Sequence, residues 1–166
     1  MKQDSLSKFI ERVRAGWGPL NTKLVEKTRA LMEELANAPL SEPWLAELQA
    51  SLPEGRELYR DLKHGFILLA HTESAGLYRP PHDHGEGWVI YAVQRGLMEM
   101  GTYGLSGGLV RRESYRVEAG QSRAYLPGDI HDTKCLSSSV LMLRLTSCDL
   151  KEEMKAGRMK IYAEEK

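Results

Sequence analysis

"PPHDHGEGWVIYAVQRG", residues 80–96, carries the pattern from which the rest of the chain can be read. In an extended backbone, residues two apart point to the same side, so His82 and His84 would aim both imidazoles at one point while Asp83 points away. Pro80 and Pro81 stiffen the approach, and Gly85 and Gly87 permit a sharp bend or a close backbone contact. "WVIYAVQRG" then reads as an apolar strand that ends in a turn at Gly96. Imidazole is largely uncharged at neutral pH and suits Fe, Zn, Cu, Ni and Mn, so the pair reads as half of a metal site. A third ligand is needed. The candidate lies in "GQSRAYLPGDIH", residues 120–131, where a Pro127-Gly128 turn sets up a short strand that carries His131.

The totals narrow the field. The chain has 166 residues, the size of one ordinary domain, with 23 basic and 23 acidic residues and a formal net charge of zero. With no long single-sign run, binding to nucleic acid or to an anionic membrane surface is not expected. No apolar run reaches the roughly 20 residues that span a bilayer, and "MKQDSLSKFIERVRAGWG" lacks the apolar block of a signal peptide. The two cysteines, Cys135 and Cys148, do not make a disulfide framework, although one bridge between them is compatible with the sequence; the expected location is the cytoplasm.

Residues 1–52 read as a helical segment. Leu6, Phe9, Ile10 and Val13 form one stripe at helical spacing with Ser5 as its cap, and Leu24, Val25, Thr28, Leu31, Met32 and Leu35 form a second with Asn21 as its cap. A short third helix starts at Ser41-Glu42-Pro43. From residue 53 to 166 the texture changes to short apolar runs broken by turn residues. Strands are expected near 56–61, 65–73, 88–94, 97–104, 110–117, 123–126, 130–135 and 139–146. About eight strands in so short a span suggest a closed barrel or double-sheet jelly roll. "LKEEMKAGRMKIYAEEK", residues 150–166, reads as a charged helical turn and a last edge strand.

The arrangement of His82, His84 and Gly96, followed by Pro127, Gly128 and His131, resembles the cupin superfamily, and within it the cysteine dioxygenase-like, or thiol dioxygenase, group. "HDHGEGWVIYAVQRG" matches that group's first motif in spacing, and "GRELYRDLKHGFILLAHTESAGLYRPP" resembles its lead-in strands. The resemblance implies a mainly β chain: a cupin double-stranded β-helix with an N-terminal helical segment packed on it. It also implies a mononuclear site ligated by His82, His84 and His131. Many cupins add a glutamate four or five residues after the second histidine; Trp88 and Val89 stand there. A neutral three-histidine face leaves room for a chelating substrate and O2. Two departures bear on the chemistry. Thiol dioxygenases carry a Ser-His-Tyr relay on a late strand, where this chain has Met142, Arg144 and Thr146. Val89 stands where some members have a cysteine crosslinked to that tyrosine.

The expected activity is that of an Fe(II)-dependent dioxygenase acting on a small chelating thiol or 1,3-dicarbonyl compound, with or without a carboxylate. The alternatives are a non-redox lyase or isomerase using Zn, Ni or Mn, and a metabolite-binding cupin without turnover. The expected partners are a small-molecule substrate, O2 and a second copy in a homodimer. Six further residues are candidates for the pocket. Arg56 and Arg60 lie on the first β segment, where the family binds a substrate carboxylate, and Arg56 is the preferred match. In "SVLMLRLT", residues 139–146, Val140, Met142, Arg144 and Thr146 share one face and Leu141, Leu143 and Leu145 the other. The family register turns Arg144 inward; the opposite reading fills the barrel with leucine. Tyr91 and Tyr125 are candidate hydrogen-bond donors, and Trp88 a pocket wall or plain core. His71, on an expected strand, could bring a further nitrogen near the site or be structural.

Overall fold

The computed structural model describes residues 2–162, so the last four residues of the C-terminal reading lie outside the described residues. Three helices come first: α1 (Ser5–Gly16), α2 (Thr22–Ala36) and α3 (Pro43–Ser51). Asp4, not Ser5, caps α1, its carboxylate accepting from the Ser7 amide at 2.7 Å. Ser5 is the first helical residue. Its amide donates to the Glu42 carboxylate at 3.1 Å, which ties the start of α1 to the start of α3. Asn21 caps α2 as expected, accepting from the Leu24 amide at 2.8 Å. Pro43 opens α3, where its missing N–H costs nothing.

Nine strands follow among the described residues: β1 (Arg56–Arg60), β2 (Ile67–Ser74), β3 (Tyr78–His82), β4 (Val89–Arg95), β5 (Leu97–Leu105), β6 (Leu109–Glu118), β7 (Ser122–Tyr125), β8 (Ile130–Cys135) and β9 (Ser139–Thr146). A short helix, α4 (Leu150–Lys155), comes last. The strand absent from the sequence reading is β3, "YRPPH". Its two prolines cannot donate to a ladder, which argues against a central strand. It survives at the edge of its sheet, with a register shift between Arg79 and His82. Two antiparallel sheets form, ordered β1-β2-β9-β4-β7 and β3-β8-β5-β6. The two facing antiparallel sheets, with helices on one of them, make the mainly β double-stranded β-helix expected from the sequence.

The five-stranded sheet is buried on both faces. Leu141, Leu143 and Leu145 of β9 pack outward with Ile90 and Ala92 against Phe9, Leu31, Met32, Leu35 and Leu45 of the helices. On the inward face, Val140 and Met142 join Val89, Tyr91, Val93, Met98 and Met100 between the sheets. The leucines therefore belong to the helix interface, and Arg144 shares the inward face. Of the two readings of Trp88, the structure takes core over pocket wall. Its ring stacks on Trp17 at 5.3 Å in the helix-side core, because the residue precedes β4 and faces the helices rather than the barrel.

Two polar anchors hold the sheets in register. Asp132, buried on β8, accepts from Tyr78 Oη at 2.9 Å, Tyr103 Oη at 2.6 Å and the Gly101 amide at 2.8 Å, joining β3, β8 and β5. Asp132→Ala should cost about 2–4 kcal/mol, since it removes a buried acceptor shared by the Gly101 amide and two tyrosine hydroxyls; urea unfolding measures it. The other anchor is Asp61 after β1. It accepts from Tyr59 Oη at 2.8 Å and pairs with Arg14 Nε at 3.0 Å, fastening α1 to the barrel. Cys135 and Cys148 are both free thiols. No helix among the described residues is long and apolar enough to cross a membrane.

Candidate metal centre

His82 ends β3 and lies directly opposite His131 on β8. His84 is not on the same strand. After His82 the chain bends: the Asp83 carboxylate accepts from the Gly85 amide at 3.1 Å, and Gly85 takes φ +62°. The two rings converge through this bend rather than by strand alternation. Their centroids lie 5.1 Å apart, and His131 sits 4.7 Å from His82 and 5.0 Å from His84. One ring nitrogen from each residue lies within 4.8 Å of the others.

The three rings are held in different ways. His82 Nδ1 lies 2.8 Å from the Pro80 carbonyl, so Nδ1 carries the proton and Nε2 keeps its lone pair. His131 is fully buried, with Tyr125 stacked on its ring at a centroid distance of 3.9 Å. His84 Nε2 and His131 Nε2 face each other at 3.3 Å, while both Nδ1 atoms are buried without a partner. The Tyr91 hydroxyl lies 3.1 Å from His84 Nε2 and 3.4 Å from His131 Nε2.

Burial, above all, lowers the proton affinity of all three. His84 falls to about 3, with His82 and Arg144 adding repulsion; His82 is lowered, and His131 falls well below the usual value. Burial raises Tyr91, which keeps its hydroxyl protonated. At neutral pH the cluster is thus three neutral imidazoles with ring nitrogens converging on one point, a donor set that suits a metal ion. The 3.3 Å gap also matches the span of about 3.0–3.4 Å between nitrogens each about 2.1 Å from one ion. The residues present can hold a metal.

Beside the cluster opens a cavity of about 340 Å³ whose walls include His82, Tyr91, His71, Met142 and Arg144. Arg144 makes no ion pair among the described residues, and its Nε is buried without a partner. His71 faces the same space, with Nδ1 3.1 Å from the Glu54 carbonyl and Nε2 buried without a partner. The other candidates stand elsewhere. Arg56 is paired with Glu47 at 3.0 Å outside this cavity. Arg60 is held by Glu57 at 2.6 Å and Asp149 at 3.0 Å on the rim of a second, smaller cavity. Tyr125 buttresses His131 rather than lining the cavity, with its hydroxyl buried and unpartnered.

Several wall residues escaped the sequence reading. Glu73 is buried and paired with Arg79 through two contacts of 3.1 and 3.3 Å. The alternation of β2 would have placed Glu73 on the face of His71. Met154, Met159 and Ile161 close the mouth. Their segment is stitched to the ligand loop. Ile161 bridges His82, the Asp83 amide donates to the Lys160 carbonyl at 3.0 Å, and the Tyr162 amide donates to the Pro81 carbonyl at 2.8 Å.

The buried histidines make stability acid-sensitive. His71 is lowered to about 4, mainly by burial and then by Arg144. Its folded pKa lies below that of the unfolded chain, so the unfolded state binds protons first. Its contribution is complete above pH ~6.5 and is lost as pH falls toward 4, up to about 3 kcal/mol. The metal-free protein should therefore show a falling Tm over that interval. In His71→Gln the fall between pH 6.5 and 4 should be smaller.

No protein-family model matches the chain, and no curated protein matches it in sequence. Among solved structures, the chain is similar to the cupin domain of Cnp3 from Schizosaccharomyces pombe, at 13% identity and a TM-score of 0.48 over 62% of this chain and 69% of that one. It is similar to KdgF from Halomonas sp., at 17% identity and a TM-score of 0.48 over 55% of this chain and 74% of that one. It is also similar to the DMSP lyase DddQ from Ruegeria pomeroyi DSS-3, at 21% identity and a TM-score of 0.48 over 58% of this chain and 47% of that one.

Proposed function

We propose that the protein is a mononuclear metal enzyme that uses His82, His84 and His131 to hold Fe(II) and oxidises a small chelating thiol or 1,3-dicarbonyl compound with O2. The supporting observation is the cluster itself: three imidazoles, neutral through burial, with one nitrogen each within 4.8 Å and no carboxylate among them. This is the ligand set of the thiol dioxygenase-like group that the sequence resembles. Fe(II) there would supply electrons to dioxygen and positions for a bidentate substrate. The chain does the rest. Tyr91, protonated and beside two of the ligand nitrogens, donates a hydrogen bond to a substrate or oxygen atom at the centre. Met142, Met154, Met159 and Ile161 give the cavity beside the centre an apolar wall.

The test is anaerobic loading of chelator-treated protein with Fe(II), followed by oxygen-electrode measurements with small thiols and 1,3-dicarbonyl acids. Stoichiometric O2 uptake, lost in His84→Ala, is the expected result. No uptake with any member of either class would sink the dioxygenase reading.

One observation favours a second reading. Arg144 and Thr146 stand where a thiol dioxygenase would carry its relay, and the Tyr91 phenol is the nearest acid to the centre. A Lewis-acid metal such as Zn, Ni or Mn with Tyr91 as proton donor would suit elimination or isomerisation. Turnover with Zn under nitrogen would select this reading over the first. Tight binding of a metabolite without turnover would select a binding protein.

A further inference from the structure

The two sheets do not pair at their end strands β6 and β7, and a separate cavity of about 360 Å³ opens along that seam. It is lined from β6 by Arg112, Glu113 and Tyr115 and from β7 by Arg123 and Tyr125. None of the three clustered histidines lines it, nor does Tyr91 or Arg144. Arg123 and Tyr125 stand opposite Tyr91 and Val89, which face the space between the sheets, so both side chains are on the inward face of β7. Arg112 arrives through a bulge. Glu113 pairs with Thr102 and Arg111 with Tyr103, which leaves Arg112 as the extra residue. Its guanidinium lies against the bare backbone of Gly104, where an added Cβ would collide with it.

Neither arginine makes an ion pair among the described residues; Arg123 stands 3.7 Å over the Tyr115 ring. The two carboxylates on the cavity are engaged otherwise. Glu113 accepts from the Tyr115 hydroxyl, and Asp129 accepts from the Leu126 amide at 2.7 Å. The Tyr125 hydroxyl is an independent sign of a ligand. The residue is 3% exposed, and its oxygen is buried without a partner. Burial and then Tyr91 raise its pKa, against a pull downward from Arg123, so at neutral pH the phenol keeps its proton and is a donor. A buried hydroxyl left unpaired costs about 1–3 kcal/mol, and the place calls for an acceptor.

We propose that this seam is an oxyanion site that takes a phosphoryl group, either as inorganic phosphate or as the phosphate of a small monoester. Arg112 reaches the anion from one sheet and Arg123 from the other, and the Tyr125 hydroxyl donates from the buried end. Donors from three directions match a tetrahedral anion with several acceptor oxygens better than a planar carboxylate with two. Glu113 and Asp129 offset the formal charge of the arginines. Binding therefore depends on two guanidinium forks meeting one anion, not on a general positive potential. The inference rests neither on the metal nor on the proposed activity, since no clustered histidine lines the cavity.

The experiment uses the full chain stripped of metal, so that phosphate has no ion to bind. Titration calorimetry follows inorganic phosphate and glycerol phosphate at neutral pH, with chloride at equal ionic strength as the blank. Saturable binding of at least one is expected. Tighter binding of glycerol phosphate assigns the site to organic phosphates, and equal or weaker binding assigns it to the free ion. Affinity should fall at least about tenfold in Arg123→Gln and about threefold or more in Tyr125→Phe, which removes one oxygen and keeps the ring against His131. Gly104→Ala should also weaken binding, with every charge retained, by pushing the Arg112 guanidinium off its seat. Arg116→Gln removes the same charge from β6 outside the cavity and should change affinity less than about twofold. Three results would overturn the site: no binding of either phosphate above the chloride blank, unchanged affinity in Arg123→Gln and Tyr125→Phe, or a loss in Arg116→Gln as large as that in Arg123→Gln, which would leave only general charge attraction. Tyr125→Phe keeps the shape of the site, so the test stands even if Arg123→Gln fails to fold.

Discussion

Chain carrying His131→Ala should bind metal more than about 100-fold more weakly than the native chain and lose all metal-dependent turnover. Even partners that only orient a ligand cost 10- to 100-fold when removed, and His131 would be a ligand itself. Its ring is completely buried between His82, His84 and the Tyr125 ring, so no water can easily stand in for it without a cavity opening. Metal analysis of protein purified without a histidine tag gives the answer, with His64→Ala as the control because His64 lies in a turn after β1, away from the cluster. Retention of a full equivalent of metal by His131→Ala would show that the three imidazoles are a pocket lining and not a ligand set. The variant should keep the fold, since Tyr91 Oη and His84 Nε2, which lose His131 as a neighbour, still pair with each other at 3.1 Å.

Gly96→Ala should be the most damaging single methyl group that can be added to the barrel. Gly96 turns the chain from β4 into β5 with φ +95°, a region that a residue with a Cβ rarely adopts. Its added Cβ would stand 2.3 Å from the Ser139 carbonyl oxygen, a backbone atom at the start of β9 that cannot swing aside. Strain and overlap together should cost at least about 3 kcal/mol, or roughly 6–12 °C in Tm for a domain of this size. The expected result is a large loss of stability with the metal affinity of the folded fraction little changed, since the turn is remote from the ligands. A loss below about 1 kcal/mol would mean that the turn can rearrange.

What could be read from the chain, and what could not, follows from how local each cause is. The stripes of α1 and α2 are visible because helical spacing is a local property. The three clustered histidines are visible because a Pro-Pro/Gly frame and a Pro-Gly turn punctuate them. The faces of β9 were ambiguous for a physical reason: the strand is buried on both sides, so Val140 and Met142 are as apolar as the leucines that alternate with them. Only the position of the helices decides which set meets the barrel. The arginines were harder still. Arg60 is neutralised in part by Asp149, 89 residues away, and Arg56 by Glu47 of the preceding helix. No strand-level reading supplies those partners. Nor could a local reading choose between wall and core for Trp88, whose stacking partner Trp17 comes from the end of α1. The edge strand β3 was hidden by prolines that an edge tolerates. The pair Glu73–Arg79 and the rim methionines depended on contacts between segments that only the fold brings together.

The stitching of Lys160, Ile161 and Tyr162 to the His82 loop has a kinetic consequence. His84 and His131 are 47 residues apart, and Asp83 reaches across 77 residues to Lys160. Such long loops close late, after β4, β5 and the helices have paid the entropy of ordering. The ligand set is then absent from the rate-limiting structure for folding. A tightly bound ion should leave the refolding rate of this chain almost untouched and slow its unfolding instead, so that the whole gain in stability appears on one arm of the chevron.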